Sequence, residues 1–373
     1  MNVLIHEEED VADKSMIIIG AGLAGLAAGC YAQMNGYRSQ IFEHHGQPGG
    51  VAAAWQREDY LIDGGIHFLM GHRPGQSLYD LYSELGTAQA NRFLDMHEYG
   101  EFLDEASGRR VLVTADLDRL AADLKALSPA DAGAVDELIA GARAFLAAGT
   151  FDVGLGDPPE LMGPLGMLKQ FWGMRRVYKY LTGKYARPVS EWVQAVRDPW
   201  LRQVIENLFL PEVPVWFVLM VLALLADRQM GLLEGGSGEF VRPIEQRYRD
   251  LGGQITYHAT VEEILVEKDR AVGVRLADPT GTLRSGSQHR ADVVVSAADG
   301  YSTIFQMLGG RYVDAKVRVR YRDWKLIRPC VMVSYGVARE FRGDPHIRAF
   351  ILKQPFDVGG PGDQWVFPAH LQL

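Results

Sequence analysis

Three glycines placed between two short apolar runs constrain this chain more than any other feature of its sequence. Gly20, Gly22 and Gly25 follow an apolar run at 17–19. Glu43 closes a second apolar run, 18 residues after the last of these glycines. In a βαβ unit such glycines allow a tight turn, close approach of the backbone to a pyrophosphate, and close helix packing. The helix amino end stabilises phosphate oxygens, and the acid accepts hydrogen bonds from ribose hydroxyls. The sequence therefore predicts a dinucleotide site with a strand over 16–19, a helix over 23–35 and a strand over 39–42.

Two further glycine pairs indicate a large, flat ligand. Gly49-Gly50 follows soon after the acid, and Asp63-Gly64-Gly65-Ile66-His67 follows a strand-like run at 60–62. Glycine has no Cβ, so the backbone can pass close to a ligand at each pair. The pattern resembles the flavoprotein superfamily that contains amine oxidases, phytoene desaturases and carotenoid isomerases. This resemblance implies FAD as the cofactor, with the first pair beside the pyrophosphate and the second beside the isoalloxazine ring.

Later segments extend the resemblance to nearly the whole chain. Gly235-Gly236-Ser237, Gly252-Gly253 and the runs at 261–267 and 291–297 look like the second FAD-domain segment of that superfamily. In relatives, the residue matching Val261 meets the adenine through its backbone, and the strand ending near Ala297 returns beneath the cofactor. The apolar run before Gly235 and the pattern Arg328-Pro329-Cys330 favour the phytoene desaturase and carotenoid isomerase branch. The resemblance implies these cofactor-binding residues: Gly20, Gly22, Leu23, Ala24, Gly25, Glu43, Gly49, Gly50, Gly65, Ile66, His67, Val261 and Ala297.

The chain departs from the family pattern at three places. Val51 stands where many relatives carry arginine or lysine, and Glu234 stands where many carry proline. The glycine-rich strand and helix that close the FAD site in relatives have no counterpart before Leu373. We therefore expect the chain to be a fragment that lacks about the last quarter of a working enzyme. Such a fragment would aggregate or bind FAD poorly, because apolar surface and strand edges stay uncovered.

The predicted fold class is α/β, a two-domain flavoprotein. A Rossmann-like FAD-binding domain is expected to combine two segments, 15–95 and 230–310. A substrate domain, helical and sheet-forming, is expected over 96–229, with further strands over 311–373. Residues 1–14 are acidic and are expected to form a disordered leader, since they lack the apolar centre of a signal peptide.

Composition limits the partners and the compartment. The 373 residues carry a formal charge of −9, which argues against nucleic acid as a partner. The two cysteines, Cys30 and Cys330, show no pairing pattern and no metal-binding spacing. A cytoplasmic location is therefore expected, with no metal, and Cys30 is interpreted as a small packing residue. The apolar run at 215–226 is too short to span a membrane and predicts a buried helix that lines an apolar cavity.

Three segments outside the glycine motifs carry further predictions. Runs at 99–103 and 111–113, joined by Ser107-Gly108, predict a hairpin, and Ser128 starts a helix that ends near Ala147. Residues Leu165 to Tyr180 predict one helix with a basic side, which is either a peripheral contact with an anionic membrane or an ordinary solvated face. Alternating charges at 316–322 predict a strand with an exposed face.

The chemistry follows from the resemblance rather than from a catalytic constellation. Flavin carries the redox step, so the protein mainly positions an apolar substrate and excludes water. His67 is a candidate to polarise the flavin or accept a proton, or else a structural group. The predicted activity is that of an FAD-dependent oxidoreductase acting on an apolar polyisoprenoid, by desaturation or redox-assisted isomerisation. A flavin amine oxidase and a non-enzymatic prenyl-binding carrier are the alternatives, and the sequence leaves the oligomeric state open.

Overall fold

The structure, a computed structural model, describes residues 14–149, 163–278, 286–324, 332–338, 341 and 343–353. The acidic segment at 1–13 and the pattern at 328–330 lie outside the described residues. The chain divides into two compact units. Unit 1 is formed by Met1–His67, Leu81–Arg92 and Leu233–Gly336, and unit 2 by Phe68–Asp80, Phe93–Leu232 and Val337–Leu373.

The strands are numbered in chain order. They are β1 (Ser15–Ile19), β2 (Arg38–Phe42), β3 (Ala54–Arg57), β4 (Tyr60–Asp63), β5 (Leu69–Met70), β6 (Phe93–Asp95), β7 (Glu98–Asp104), β8 (Arg110–Thr114), β9 (Met230–Leu233), β10 (Gln254–Thr256), β11 (Val261–Glu267), β12 (Arg270–Leu276), β13 (Gln288–Arg290), β14 (Val293–Ser296) and β15 (Arg348–Ile351).

The α-helices are numbered in the same way. They are α1 (Leu23–Met34), α2 (Ser77–Glu84), α3 (Thr87–Ala90), α4 (Leu117–Leu127), α5 (Ala132–Ala148), α6 (Pro164–Met174), α7 (Tyr178–Leu181), α8 (Val189–Trp192), α9 (Pro199–Glu206), α10 (Val215–Ala226), α11 (Ser237–Asp250) and α12 (Ala315–Asp323).

Unit 1 is built on a parallel sheet with strand order β10-β2-β1-β14. The predicted strand, helix and strand of the βαβ unit are confirmed as β1, α1 and β2. Helices α1 and α11 pack together at Gly29, where a Cβ would lie 2.7 Å from the Tyr248 ring. The Tyr248 hydroxyl donates to the Ser39 carbonyl oxygen of β2 at 2.9 Å, so one buried tyrosine ties α11 to the sheet. A β3–β4 hairpin and the antiparallel sheet β11-β12-β13 complete the sheets of this unit.

Unit 2 contains the larger of the two described hydrophobic cores. The predicted hairpin is confirmed as β7–β8, with β15 pairing parallel to β7. The predicted helix after Ser128 is confirmed as a short 3-10 turn followed by α5, which ends at the left-handed Gly149. The predicted buried apolar helix is confirmed as α10, whose Leu219 packs against Gly141 of α5. Unit 2 is therefore a helical core with small sheets.

Two of the predicted segments differ from the structure. The single helix predicted over 165–180 is wrong, because α6 ends at Met174 and α7 begins at Tyr178. The intervening turn brings Val177 into the buried core of unit 2, which a straight amphipathic helix would not do. The strand predicted over 316–322 is also wrong, since these residues form α12 in unit 1, begun by an Asp314 cap.

Candidate dinucleotide-binding site

The candidate site lies at the carboxyl end of the parallel sheet in unit 1. β1 pairs with β2 on one side and β14 on the other, so the order of the strands reverses beside β1. Open α/β sheets bind ligands in the crevice at such a reversal. Gly20 follows β1 and Ala297 follows β14, and the Ala297 amide donates to the Ile19 carbonyl oxygen at 2.9 Å. The structure therefore brings together the first predicted glycine and the end of the returning strand.

The first three glycines each lie in a different steric environment. Gly20 has φ +97°, a left-handed conformation that glycine adopts without strain. A Cβ on Gly25 would overlap the Gly20 carbonyl oxygen and lie 3.3 Å from the Ala297 Cβ. Gly22 forms an isolated parallel bridge with Gly49. The backbone at the first glycine pair thus lies close to Gly22, whereas the predicted close approach to a ligand at this pair stays a prediction.

The amino end of α1 is open to an anion. Its capping residue, Gly22, offers no side-chain hydrogen bond, and the first turn contains no acidic residue. The N–H groups of Leu23, Ala24 and Gly25 have no partner within the helix because no preceding turn supplies a carbonyl. Together with the positive end of the helix dipole, they form a site suited to phosphate oxygens.

Glu43 fastens the glycine turn to the end of β2. Its side chain is buried, with 8% of the residue exposed. One carboxylate oxygen, Oε2, accepts from the Ala21 amide at 2.6 Å, and Oε1 accepts from the His45 amide at 2.7 Å. A carboxylate oxygen has two acceptor positions, so each retains one for a ribose hydroxyl. The sequence predicts that Glu43 binds a ribose, and this stays a prediction. The sequence did not predict that Glu43 also accepts hydrogen bonds from the backbone.

A set of hydrogen bonds made by Asp63 and Ser237, called the bracket below, joins two glycine-rich segments that lie far apart in the chain. Asp63 accepts from the Gly65 amide at 3.0 Å and from the Ser237 amide at 2.8 Å. The Ser237 hydroxyl oxygen in turn accepts from the Ile66 amide at 2.6 Å. A Cβ on Gly236 would lie 2.5 Å from Asp63 Oδ2, so the bracket requires glycine there. Sequence reasoning missed Asp63 and Ser237, although an acid before one glycine pair and a serine after another were the available signal.

The remaining predicted residues lie in different surroundings. Val261 is buried at the start of β11, two residues after Ala259, whose amide donates to the Glu43 carbonyl oxygen at 2.8 Å. Ile66 is half-buried and His67 is exposed. Val51, where relatives carry a cation, is 95% exposed and offers no charge to a ligand.

The structure confirms the interpretation of Cys30 as a packing residue. It lies on α1, is fully buried, and its Sγ lies 3.7 Å from the Ile244 carbonyl oxygen of α11. Burial raises the pKa of the thiol to about 11. The thiolate, which is the reactive form, is therefore suppressed at neutral pH.

Comparisons with known proteins agree with this geometry. Residues 18–85, which contain the end of β1, α1, β2 and both early glycine pairs, match the family described as NAD(P)-binding Rossmann-like domain. A phytoene desaturase (lycopene-forming) from Pseudescherichia vulneris is 27% identical over 315 residues, covering 81% of this chain and 59% of that protein. A chloroplastic prolycopene isomerase from Daucus carota is 23% identical over 303 residues, covering 78% of this chain and 49% of that protein. The chain thus spans between half and three fifths of the length of these relatives.

Solved structures support the fold. A protein from Pyrococcus furiosus matches with a TM-score of 0.53 and 17% identity, covering 84% of this chain and 66% of that chain. An oxidoreductase from Methanosarcina mazei matches with a TM-score of 0.50 and 19% identity, covering 83% and 64%. The α/β fold class with a Rossmann-like domain is confirmed, and so is the resemblance to phytoene desaturases and carotenoid isomerases.

Proposed function

We propose that this chain binds FAD in unit 1 and acts in the oxidation or isomerisation of an apolar polyisoprenoid. The observation that carries the proposal is the similarity, over about four fifths of the chain, to proteins named phytoene desaturase and prolycopene isomerase. Both names refer to carotenoid substrates, which are long, apolar polyenes. Desaturation and redox-assisted isomerisation remain the two candidate reactions.

The cofactor proposal rests on how well the residues present fit a dinucleotide. The open amino end of α1 would hold the pyrophosphate, and Glu43 would hold the adenosine ribose. The bracket of Asp63 and Ser237 orders the backbone of Gly65 and Ile66, and the family resemblance implies that these two residues lie beside the flavin. When bound, the flavin supplies a two-electron acceptor, and the chain supplies binding, orientation and exclusion of water.

The substrate proposal rests on α10 in unit 2. This helix is apolar along its whole length, and most of its side chains are buried. Trp216 and Phe217, at its amino end, are only half-buried, and Phe217 lies 4.9 Å from Phe209 between ring centroids. Burial of a polyene against such rings can supply about 0.8 kcal/mol per CH₂ group.

An anaerobic reduction experiment tests the proposed function. The 373-residue protein is reconstituted with FAD and mixed with phytoene or another polyene in detergent. Loss of the visible flavin absorbance with a polyene would assign desaturation, and conversion of a polyene to its isomer without net flavin reduction would assign isomerisation. Neither change is expected with a panel of small amines. Reduction by amines with peroxide release would assign an amine oxidase, and polyene binding without any retained flavin would assign a carrier.

The role of His67 is tested in the same assay. His67→Gln keeps a polar side chain but cannot accept a proton as imidazole does. A catalytic histidine predicts slower flavin reduction with unchanged FAD affinity and a changed pH profile. A structural histidine predicts unchanged reduction.

We also propose that α6 and the turn after it contact an anionic membrane. Leu165, Leu168 and Trp172 lie at helical spacing and are exposed, Trp172 to 63%. Arg175 and Arg176 follow directly and are exposed, with the Arg175 guanidinium 5.1 Å from the Trp172 ring centroid. Apolar and aromatic side chains beside cations are typical of a helix at a lipid interface.

The described part of the chain contains no helix long and apolar enough to cross a bilayer. The proposed contact is tested by binding to lipid vesicles. Vesicle co-sedimentation should require anionic lipid, and it should weaken with salt and in R175E/R176E. Binding that ignores lipid charge and these substitutions would leave α6 as an ordinary solvated helix.

A further inference from the structure

Helix α12 is a basic helix in unit 1 with no buried residue. Its amino end is fixed by Asp314, whose side chain accepts from the Val317 amide at 2.7 Å. One side rests on the preceding π-helical turn, Ser302–Met307, where the Tyr321 ring meets the Phe305 ring edge-on at 5.1 Å. Tyr321 therefore holds the helix in place and leaves its other side in solvent.

Helix α12 carries exposed cations that have no acidic partner in the part of the chain that the structure describes. Among the described residues, Lys316, Arg318 and Arg320 take part in no ion pair, whereas Arg322 pairs with the neighbouring Asp323 at 2.6 Å. At 100° per residue, Lys316 and Arg320 lie on one flank of the helix and Arg318 and Arg322 lie on the opposite flank. Val319 lies between the two flanks on the side away from Tyr321. This concentration of positive charge stands in a chain whose net charge is −9.

Exposed aromatic side chains flank these cations at both ends of the helix. Tyr312 precedes the helix and is half exposed, and Trp324 follows it with 69% of its surface exposed. The Arg320 guanidinium lies 5.3 Å from the Trp324 ring centroid. Val319, on the outward side between the cations, is also exposed. Tryptophan and tyrosine with arginine and lysine are the residues that settle at the level of lipid head groups.

We propose that α12, with Tyr312 and Trp324, is a docking surface for an anionic lipid bilayer. Charge complementarity selects an anionic partner, and the exposed aliphatic side chain of Val319 between the cations favours lipid over a nucleic acid. This proposal rests on α12 alone and does not depend on the flavin or on α6. Each cation near a bilayer surface contributes about a fivefold factor in partitioning at low salt.

Vesicle co-sedimentation of the 373-residue protein tests the proposal. The vesicles contain phosphatidylcholine alone, or phosphatidylcholine with about a third phosphatidylglycerol, at low and at high salt. The triple variant K316Q/R318Q/R320Q is expected to bind the anionic vesicles about a hundredfold more weakly, by three fivefold factors. Exchanging cation for cation in K316R/R318K/R320K should preserve binding, and W324S should weaken binding at both salt concentrations.

A control variant separates local charge from net charge. R92Q/R143Q/K184Q removes the same charge from three exposed cations that are each paired with an acid, namely Glu234, Asp118 and Glu137. This control should bind anionic vesicles as the parent protein does. Equal loss in the control and the α12 variant would overturn the proposal, as would full binding by the α12 variant.

Two further outcomes would also overturn it. Loss of binding only in R175E/R176E would assign the membrane contact to α6 and not to α12. Binding of α12 to a single-stranded oligonucleotide, without binding to anionic vesicles, would assign a different partner. Thermal unfolding of each variant, followed by circular dichroism, confirms that the binding comparisons are made on folded protein.

Discussion

Helices α1 and α11 both start at a glycine and pack against each other in unit 1. The two helices differ in whether a side chain accepts a hydrogen bond from the backbone amides at the amino end. Helix α11 follows Gly236, and Asp63 from β4 accepts from its first amide. Helix α1 follows Gly22 and has neither a side-chain cap nor an acid in its first turn. A carboxylate at a helix start stabilises it by about 0.3–1 kcal/mol through the dipole alone. One helix start is thus satisfied by the chain itself, and at the other we propose that an anionic ligand takes this place.

The difference teaches what the two glycine segments are for. At α11 the glycine makes room for Asp63, so the carboxylate reaches the helix end and also orders Gly65. At α1 the acid of the neighbouring strand, Glu43, binds the Ala21 amide beside the turn instead of the helix amides. The first arrangement is internal structure, whereas the second keeps the amides of α1 available.

The largest expected effect comes from the third glycine of α1. Gly25→Ala places a methyl group against the Gly20 carbonyl oxygen, and the turn must move to relieve the overlap. We expect a loss of about 3 kcal/mol in the free energy of unfolding and loss of FAD binding. The matched control is Gly238→Ala in α11, where the added Cβ meets only the Ala54 Cβ at 3.5 Å. That control should be neutral or stabilising by up to about 1 kcal/mol in urea unfolding, and similar losses in both variants would break the comparison.

The next effect concerns the ribose acid. Glu43→Ala removes the acceptor for two backbone amides and for the proposed ribose hydroxyls. FAD affinity should fall by about 1.5–3 kcal/mol, measured by fluorescence titration, because the lost hydrogen bonds involve a charged acceptor. Titration of Glu43→Gln on protein shown to be folded separates binding from stability. Unchanged affinity in both variants would remove Glu43 from the cofactor site.

Breaking the bracket at α11 should lower the free energy of unfolding by less than Gly25→Ala does. Asp63→Ala leaves the Ser237 and Gly65 amides without their acceptor and should lower the free energy of unfolding by about 2 kcal/mol. Asp116→Ala is the matched control, because Asp116 also accepts from two amides, at the start of α4 in unit 2. The control should lose about 1 kcal/mol of stability and no FAD affinity. If both variants affect FAD binding equally, Asp63 has no special relation to the site.

The smallest effect is expected at the contact between α1 and α11, and it concerns the reactivity of the Cys30 thiol and not stability. The pKa of Cys30, raised by burial from 9.0 to about 11, predicts about a hundredfold less thiolate than in the unfolded chain near pH 8. Alkylation of Cys30, followed by mass spectrometry, should therefore be at least a hundredfold slower in native protein than in urea. Equal rates would show that the two helices do not stay packed.

Sequence reasoning succeeded where the constraint was local. The turn through Gly20 and the spacing from Gly25 to Glu43 are set by steric limits within one βαβ unit, so β1, α1 and β2 could be predicted. The bracket could not, because Asp63 and Ser237 are 174 residues apart and only the fold brings them together. Their residue types gave a signal, but nothing in the sequence paired them.

The predictions for the two basic segments, 165–180 and 316–322, were wrong for a different reason. Alternating charges at 316–322 fit a strand, but a helix exposed on nearly all sides accepts the same pattern, and the cap at Asp314 decides between them. Between α6 and α7 the break follows from burial of Val177, which depends on the surrounding core. Periodicity therefore predicts an element reliably only when one of its faces is buried.

Titration of the purified 373-residue protein with FAD, NAD and NADP, followed by calorimetry, tests the central claim most directly. The open amino end of α1 and the glycine pairs around it predict saturable binding in which FAD is held more tightly than either nicotinamide dinucleotide, whatever the absolute affinity. Gly25→Ala should abolish that binding, whereas Gly238→Ala should retain it. Preferential binding of a nicotinamide dinucleotide, or FAD binding that survives Gly25→Ala unchanged, would contradict the assignment of this helix end to FAD.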